Sequence, residues 1–243
     1  MASFSASPSV ILALETATTC GSLALVAEDR CLAEYSLNAA STHSRRLLSG
    51  IDWLLAQCEL SWPQISAIAI GLGPGSFTGL RIALSTAKGL CMATGKPLIG
   101  VGTLDGLAGQ FPFSSLPICP VIDARKNEIY TALYRCNQQG LPEKITEAMV
   151  IKPERLQEFI TTPTLLVGDG LPLYGQMLKE LLGEYACLAP TEICYARAAC
   201  IGSAAWGLFR QGVFLDPATA VPLYVRASDA ELQFGEKKGT KRG

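Results

Sequence analysis

Three short apolar segments near the start of the chain, residues 10–14, 22–27 and 31–36, are separated by gaps of turn length. This pattern predicts an antiparallel meander of three strands. A helix is expected next, over about residues 42–58, because apolar positions recur there at helical spacing and form a single stripe. The stripe consists of Leu47, Leu48, Ile51, Leu54, Leu55 and Cys58.

A continuous apolar run over residues 65–70 predicts a strand that is buried on both faces. A glycine-rich turn at 71–76 leads into a second helix, at about 78–93. A strand at 98–101 and a short helix near 104–108 complete this half. The order strand-strand-strand-helix-strand-helix is that of the ribonuclease-H-like half-domain, which occurs twice in actin-like ATPases.

A second half follows, with a pattern of shorter apolar segments. We predict paired strands at 118–122 and 129–134, a helix after Pro153, a strand at 165–167, and helices near 173–182 and 196–210. Two prolines and two serines interrupt the pattern at 110–117, which places the domain boundary there. We therefore expect an N-terminal lobe over 1–109 and a C-terminal lobe over 110–243. The helix at 196–210 is a candidate to pack back on the first lobe, and the basic tail from about 235 is expected to be frayed.

The composition favours a globular protein with a substantial core. The chain has 243 residues, of which 49% are hydrophobic, and its mean hydropathy is +0.29. The first apolar run stops at Glu15, far short of the ~18–20 residues of a membrane span, and no Lys or Arg precedes it. We therefore expect a cytoplasmic protein. The net charge of −1 argues against a nucleic-acid binder that acts alone.

Cysteine and histidine limit the chemistry that is available. None of the nine cysteines forms a C-x-x-C pair, so neither a zinc ribbon nor a thioredoxin-type motif is present. His43 is the single histidine, which excludes an H-E-x-x-H zinc protease. A serine or cysteine hydrolase would have to use His43 itself.

The glycine-rich segment at residues 71–81 is the most specific local pattern. Its glycines lie between a strand and the start of a helix, where backbone N–H groups can surround an anion. It is neither a P-loop, since no Lys-Ser/Thr follows the last glycine, nor a G-x-G-x-x-G fingerprint. A phosphate cradle and a tight strand-to-helix turn both remain open interpretations.

Four segments, at residues 11–18, 73–81, 100–104 and 122–130, resemble those of the TsaB (YeaZ) family. The resemblance runs from about residue 10 to 226, and Glu15 stands where many members carry Asp. It implies an α/β, two-lobed actin-like (ribonuclease-H-like) fold, each lobe a mixed sheet with flanking helices. It also implies a role in N6-threonylcarbamoylation of adenosine 37 in tRNAs that read codons beginning with adenine. The implied partners are the catalytic paralogue TsaD, the ATPase TsaE and, through the complex, tRNA, but no membrane.

The same resemblance argues against a catalytic site in this chain. TsaD-like proteins hold a metal with an H-x-x-x-H pair, and the equivalent positions here are Thr103 and Leu107. A catalytic metal site normally uses three protein ligands, and Asp105 alone cannot replace the missing two. We therefore expect no catalytic residue and no metal ligand, with ATP and metal on the partner subunits.

The nucleotide site of the actin-like fold also looks incomplete. The turn that opens the second lobe, residues 123–128, has no glycine, so side chains occupy space that backbone amides need. Arg125 and Lys126 are able to attract an anion instead. Residues 168–170 are either an adenosine-contacting turn or a strand-to-helix turn. The candidate anion or nucleotide contacts are Glu15, Thr16, Gly73, Gly75, Ser76, Thr78, Asp123, Arg125 and Lys126.

The helix after the glycine loop carries a row of small residues that permits close packing. One interpretation is a wholly internal helix between the sheet and helix 42–58. The other is a partner surface, which pairs with a TsaD-like protein or with a second copy and buries on the order of 1,200–2,000 Å². The interface candidates are Gly79, Leu80, Ala83, Leu84, Ala87 and Cys91.

Three other functions remain as alternatives. The first is an ATP-dependent phosphotransferase of actin-like fold, in which Glu15 and Asp123 organise Mg²⁺. The second is an M22-type glycoprotease, a label given to such chains by similarity, which the lone His43 disfavours. The third is a homodimeric, chaperone-like binding module.

Overall fold

The computed structural model describes residues 9–38 and 44–225, with side chains from residue 47 onward in the second stretch. His43 and the tail from residue 235 lie outside the described residues, so the expectations placed on them stay untested. Among the residues described, no helix combines the length and apolar character needed to cross a bilayer.

The first lobe is built on a five-stranded sheet with the order β3-β2-β1-β4-β5. Its strands are β1 (Val10–Glu15), β2 (Cys20–Ala27), β3 (Cys31–Asn38), β4 (Ile65–Gly71) and β5 (Leu98–Val101). The first three pair in antiparallel fashion, as the meander predicts, while β4 runs parallel to β1 and β5 runs parallel to β4.

Two helices cover one face of this sheet, and a third follows β5. They are α1 (Ser44–Gln57), α2 (Phe77–Thr94) and α3 (Thr103–Ala108). Leu12 and Leu14 of β1 pack in one core cluster with α1 and α2, whereas Ile11 and Ala13 point to the opposite face. The alternation follows from the two-residue repeat of a strand, and it explains why β1 is apolar throughout.

The second lobe contains a seven-stranded sheet assembled from shorter strands. They are β6 (Ile118–Asp123), β7 (Ile129–Thr131), β8 (Tyr134–Cys136), β9 (Pro142–Lys144), β10 (Met149–Ile151), β11 (Thr164–Val167) and β12 (Ala186–Leu188). Helix α4 (Leu171–Leu182) follows β11, and a 3-10 helix at Pro153–Glu158 replaces the predicted helix after Pro153. Two sheets with flanking helices confirm the two-lobed actin-like fold.

The prediction of one continuous strand at residues 129–134 was wrong, because this segment contains two strands, β7 and β8. It is interrupted, because β7 pairs with β6 and β10, whereas β8 pairs with β9 and meets β6 only at Ile118. Both halves of this apolar run therefore meet β6, but their other neighbours differ: β10 for the first half and β9 for the second.

The last helix, α5 (Ala198–Arg210), covers the open face of the first-lobe sheet. Its residues Ile201, Ala205 and Trp206 form one buried cluster with Ile11 and Ala13 of β1. Gly202 lies against Val26 and Ala13, where no Cβ fits without a shift. A helix from the end of the chain thus completes the core of the first lobe, while the boundary at residues 110–117 stays a prediction.

Candidate functional site

The glycine loop after β4 is packed against the turn between β1 and β2. The Ser76 N–H donates to the Ala17 carbonyl (2.6 Å), and the Thr16 hydroxyl donates to the Gly79 carbonyl (2.7 Å). A Cβ at Gly75 would overlap the backbone of Ala17, and one at Gly79 would overlap that of Thr16. These glycines therefore permit close approach of two backbone segments.

Amide groups of this loop already donate to acceptors within the chain. Besides Ser76, the Gly73 N–H donates to Thr103 Oγ1 (3.2 Å) and the Gly79 N–H donates to Ser76 Oγ (3.3 Å). Ser76 thereby caps the N-terminus of α2. Thr78 lies on the exposed surface of that helix. This geometry favours the tight strand-to-helix turn over an open phosphate cradle.

Glu15 ends β1 as a fully buried carboxyl group. Its Oε1 accepts from the Ala17 N–H (2.6 Å), and its Oε2 accepts from the Thr103 hydroxyl (3.1 Å). Burial raises the pKa of Glu15 to about 7; the hydrogen bonds from Ala17 and Thr103 oppose this increase, and the charge of Asp169 adds to it. The carboxyl group is therefore held inside the lobe, away from solvent and from any exposed Mg²⁺.

The turn between β6 and β7 is held by its own side chains. Arg125, Lys126 and Asn127 all have positive φ angles, at 63°, 54° and 57°. The Asp123 carboxylate accepts from the Arg125 N–H (2.9 Å) and forms an ion pair with its guanidinium (3.1 Å). Burial raises the pKa of the Tyr174 hydroxyl, and the charge of Asp123 acts in the same direction. The charge of Arg125 thus faces Asp123, and Lys126 lies exposed beside it.

Asp169 lies in the turn at residues 168–170, which the sequence analysis left open as an adenosine contact or a strand-to-helix turn, but it was not among the candidate contact residues. It lies between two glycines directly after β11, and the Asp123 N–H donates to its Oδ1 (3.4 Å). Burial raises its pKa to about 6, and the nearby charge of Asp123 contributes in the same direction. The Gly-Asp-Gly sequence at residues 168–170 could have indicated Asp169 as a candidate, because a carboxyl group in a glycine turn at the end of a strand is placed to make a polar contact.

The small-residue row of α2 faces into the first lobe. All six interface candidates, Gly79, Leu80, Ala83, Leu84, Ala87 and Cys91, are buried. Ala83 and Ala87 have no exposed surface at all, and Ala87 packs in the cluster that joins the sheet to α1. The assignment of these side chains to a partner surface is therefore corrected: the row lets α2 approach its own sheet, and a partner cannot reach it.

A different stripe of α2 is exposed, and we call it the outer face of α2. Its exposed members are Thr78, Ser85, Gly89 and Met92, and the half-buried Ile82 lies between them. Met92 is 82% exposed, and the neighbouring α1 exposes about half of Leu48 and Trp53.

The outer face begins at a groove beside the last described residues of the chain. Phe77 and Arg81 line this groove with Ile82. The Arg81 guanidinium lies 3.8 Å from the centre of the Phe77 ring, and the Tyr224 ring stacks on Phe77 at 5.3 Å.

The positions equivalent to a metal-binding histidine pair lie on α3. Thr103 is buried and bonded to Glu15, and Leu107 is buried in the core of the second lobe. Asp105 accepts from the Tyr134 hydroxyl (2.7 Å) and pairs with Lys144 (3.1 Å). Among the described residues, no three His, Cys, Asp or Glu side chains are grouped to hold a metal. The expectation of a metal-free chain stays a prediction.

The fold and the site define a class: two-lobed α/β proteins of actin-like architecture. Residues 36–233 match the family model described as "TsaD: tRNA N6-adenosine threonylcarbamoyltransferase". Within this class, the chain belongs to the TsaB (YeaZ) family, as the sequence resemblance predicts.

Relatives of known name support this assignment. A Bacillus subtilis protein named tRNA threonylcarbamoyladenosine biosynthesis protein TsaB is 28% identical, covering 94% of this chain and 99% of that protein. The Escherichia coli protein of the same name is 32% identical, covering 89% and 94%. The solved structure of YeaZ from Pseudomonas aeruginosa is 29% identical, with a TM-score of 0.73, covering 89% of this chain and 99% of that chain.

Proposed function

We propose that this chain is a non-catalytic subunit of the system that makes threonylcarbamoyladenosine at position 37 of tRNA. In this proposal it binds a TsaD-like catalytic paralogue and a TsaE-like ATPase. Those partners carry the ATP and the metal, and the tRNA lies across the composite surface. The supporting observation is that the candidate contact groups are already bonded within the chain, Glu15 to Thr103 and Asp123 to Arg125.

Three features of the site support a non-catalytic role. Glu15 is fully buried and bonded to Ala17 and Thr103, so it is poorly placed to hold solvent-exposed Mg²⁺. Arg125 is paired with Asp123, which reduces its attraction for a phosphate. Positions that would need to coordinate a metal are occupied by a threonine and a leucine.

The partner surface that we propose is the outer face of α2 together with the exposed part of α1. Small residues at Ser85 and Gly89 allow the backbone of a partner helix to approach closely. Met92 supplies exposed apolar area on the same face, and Leu48 and Trp53 supply it on α1. The interface that such a pairing needs is on the order of 1,200–2,000 Å² in total.

Binding at this surface influences catalysis only through differential affinity. A scaffold that binds the active conformation of its partner more tightly than the inactive one shifts the population toward the active form. The scaffold needs no reacting group for this effect. A TsaD-like protein paired with this chain is therefore expected to modify tRNA faster than the same protein alone.

The experiment that tests the proposed partner surface places the same bulky charge at an exposed position of two different helices. Ser85→Arg lies on the outer face of α2, and the matched control Ser203→Arg lies on the exposed side of α5. We expect Ser85→Arg to weaken binding of the TsaD-like protein at least tenfold in calorimetry and to lower the threonylcarbamoyladenosine content of tRNA. Ser203→Arg should leave both unchanged.

Three outcomes would contradict the proposal. Equal partner affinity for both variants would move the interface away from α2. Turnover of Mg-ATP by the isolated chain would instead favour the actin-like phosphotransferase. If Ser85→Arg disrupts a homodimer but leaves binding of the TsaD-like protein intact, the surface joins two copies of this chain.

A further inference from the structure

The last described part of the chain returns to the first lobe and lies beside α2. The Leu223 N–H donates to the Leu72 carbonyl in the loop after β4 (2.8 Å). Further back, the Ala218 carbonyl accepts from the side chain of Lys88 on α2 (3.4 Å). Residues 216–224, which we call the strap, are therefore held against α2 at two places.

The strap places an aromatic ring next to Arg81 of α2. The Tyr224 ring stacks on the Phe77 ring, with the two centroids 5.3 Å apart. The Arg81 guanidinium lies 3.8 Å from the centre of the same Phe77 ring, and its Nε–H donates to the Tyr224 hydroxyl oxygen (3.4 Å). Because a guanidinium is attracted to the face of an aromatic ring, these contacts hold the exposed Arg81 side chain in one position.

The guanidinium of Arg81 keeps donors for an acceptor from outside the chain. Among the side chains that the structure describes, no Asp or Glu forms an ion pair with it. Arginine has five N–H donors, and the one on Nε is directed to Tyr224. The fork formed by the other two nitrogens matches the paired oxygens of a carboxylate. Since its position is already fixed, Arg81 loses little side-chain entropy on binding such a group.

A groove beside Arg81 continues along the outer face of α2. Arg81 is the one charged residue of its lining, and α2 contains no Asp or Glu. An acidic side chain with an apolar neighbour is therefore complementary to the groove in both charge and polarity. The groove has a volume of about 380 Å³ and is lined by Phe77, Thr78, Arg81, Ile82, Ser85 and Thr86.

We propose that Arg81 determines which protein binds the outer face of α2, by pairing with an Asp or Glu side chain that the TsaD-like partner inserts into this groove. The inference rests on the proposed scaffold function, since it names the chemical group that the partner supplies at that surface. Arg81 contacts the partner directly, whereas Phe77 is a positioning residue that acts through Arg81.

The first test removes the charge of Arg81 and compares this with the loss of an exposed arginine elsewhere. Arg81→Gln changes the groove, and the matched control Arg135→Gln lies on β8 of the second lobe. We expect Arg81→Gln to weaken binding of the TsaD-like protein roughly tenfold in calorimetry. Its affinity should also depend less on salt concentration, because one ion pair fewer is screened. Arg135→Gln should match the wild-type chain in both respects.

The comparison with Ser85→Arg separates this inference from the proposed function. Wild-type affinity of Arg81→Gln would overturn the inference; if Ser85→Arg still weakens binding, the interface on α2 stands without it. Wild-type affinity of both variants would overturn the interface and the inference together. Weaker binding of Arg81→Gln with an unchanged salt dependence would show that Arg81 contributes packing and not charge, and would also overturn the inference.

Cross-linking identifies the group that Arg81 meets. Arg81→Lys places a primary amine in the groove, and a carbodiimide condenses an amine with a carboxylate in direct contact to form an amide. In the saturated complex, we expect mass spectrometry to find an amide between position 81 and an Asp or Glu of the TsaD-like protein. Arg135→Lys should give no such product at position 135. A complex of Arg81→Lys that forms without this amide would overturn a carboxylate as the partner group.

A double-mutant cycle tests the positioning role of Phe77. We expect Phe77→Leu to weaken binding about threefold in the wild-type chain, because the guanidinium is no longer held over an aromatic ring. The same change should have no further effect in Arg81→Gln, since the group that Phe77 positions is absent there. Equal losses in the two backgrounds would show that Phe77 acts independently of Arg81 and would overturn its positioning role.

Discussion

At the scale of single residues, burial decides what a carboxyl group does in this protein. Glu15 and Asp169 both have raised pKa values, at about 7 and about 6, because burial penalises their charged forms. Asp216 is exposed, and hydrogen bonds from Ala218 and Thr219 lower its pKa instead. The same functional group therefore titrates differently according to where the fold places it.

Glu15 makes stability dependent on pH. Its pKa is about 7 in the folded chain against an ordinary value of 4.5, so folding binds a proton. This contribution to stability is complete below pH 4.5 and is lost as the pH rises through about 7. Between pH 6 and 8, we expect the free energy of unfolding of the wild-type chain to fall by roughly 1.4 kcal/mol more than that of Glu15→Gln.

Urea denaturation of both chains at pH 6, 7 and 8 measures this difference. Asp169, whose pKa is raised to about 6, titrates at the lower end of this range in both chains, so the interval from pH 7 to 8 isolates Glu15 best. Parallel pH profiles for the wild-type chain and Glu15→Gln would show that Glu15 remains ionised throughout.

At the scale of elements, α1 and α2 end in the same way with different residues. Glu59 follows α1 with φ of 53°, and the Leu60 N–H donates to the Leu55 carbonyl (2.9 Å). Gly95 ends α2 with φ of 70°. The left-handed conformation suits glycine and strains any residue that has a Cβ. One helix end therefore carries strain that the other avoids.

Reciprocal substitutions at these two ends should change stability in opposite directions. We expect Glu59→Gly to raise the free energy of unfolding by roughly 0.5–1 kcal/mol, because it relieves the left-handed strain. Gly95→Ala should lower it by about 1 kcal/mol, since a Cβ there meets no other atom and only the backbone matters. The urea midpoints of Glu59→Gly and Gly95→Ala measure the two changes in stability. Midpoints that shift in the same direction would contradict strain of the left-handed conformation as their cause.

At the scale of the whole molecule, the two halves of the sequence are interdependent. Helix α5 belongs to the second half, but it buries Ile11, Ala13 and Val26 of the first-lobe sheet. The Trp206 indole N–H donates to the Val26 carbonyl (3.2 Å) across this contact. The first lobe therefore cannot bury both faces of its sheet with residues 1–109 alone.

The contribution of the contact between α5 and the first-lobe sheet can be measured by comparing a buried tryptophan with an exposed one. Trp206 is buried, whereas Trp53 on α1 is 52% exposed. We expect Trp206→Ala to lower the free energy of unfolding by roughly 3–5 kcal/mol through loss of packing, and Trp53→Ala to lower it by less than about 1 kcal/mol. Thermal and urea unfolding of the two variants measure the contrast. Equal losses would contradict the role of α5 in closing the first lobe.

Strands marked by a continuous apolar run of at least four residues were predictable from the sequence, and most three-residue strands were not. The strand predicted at residues 65–70 is β4 (Ile65–Gly71), and that predicted at 98–101 is β5 (Leu98–Val101). By contrast, β9, β10 and β12 have three residues each, which is too short for a two-residue repeat to be recognised. The break between β7 and β8 was missed because the apolar run continues across it.

The sequence by itself determined the order of the main elements, the family, and the absence of a histidine pair at Thr103 and Leu107. Local spacing and residue chemistry are enough for each of these. Only the tertiary structure decided which face of α2 is buried, since a helix that is apolar or small nearly all round does not indicate its inner side. It also decided that the Asp123 N–H donates to Asp169, because residues 46 positions apart become neighbours only when the second lobe folds.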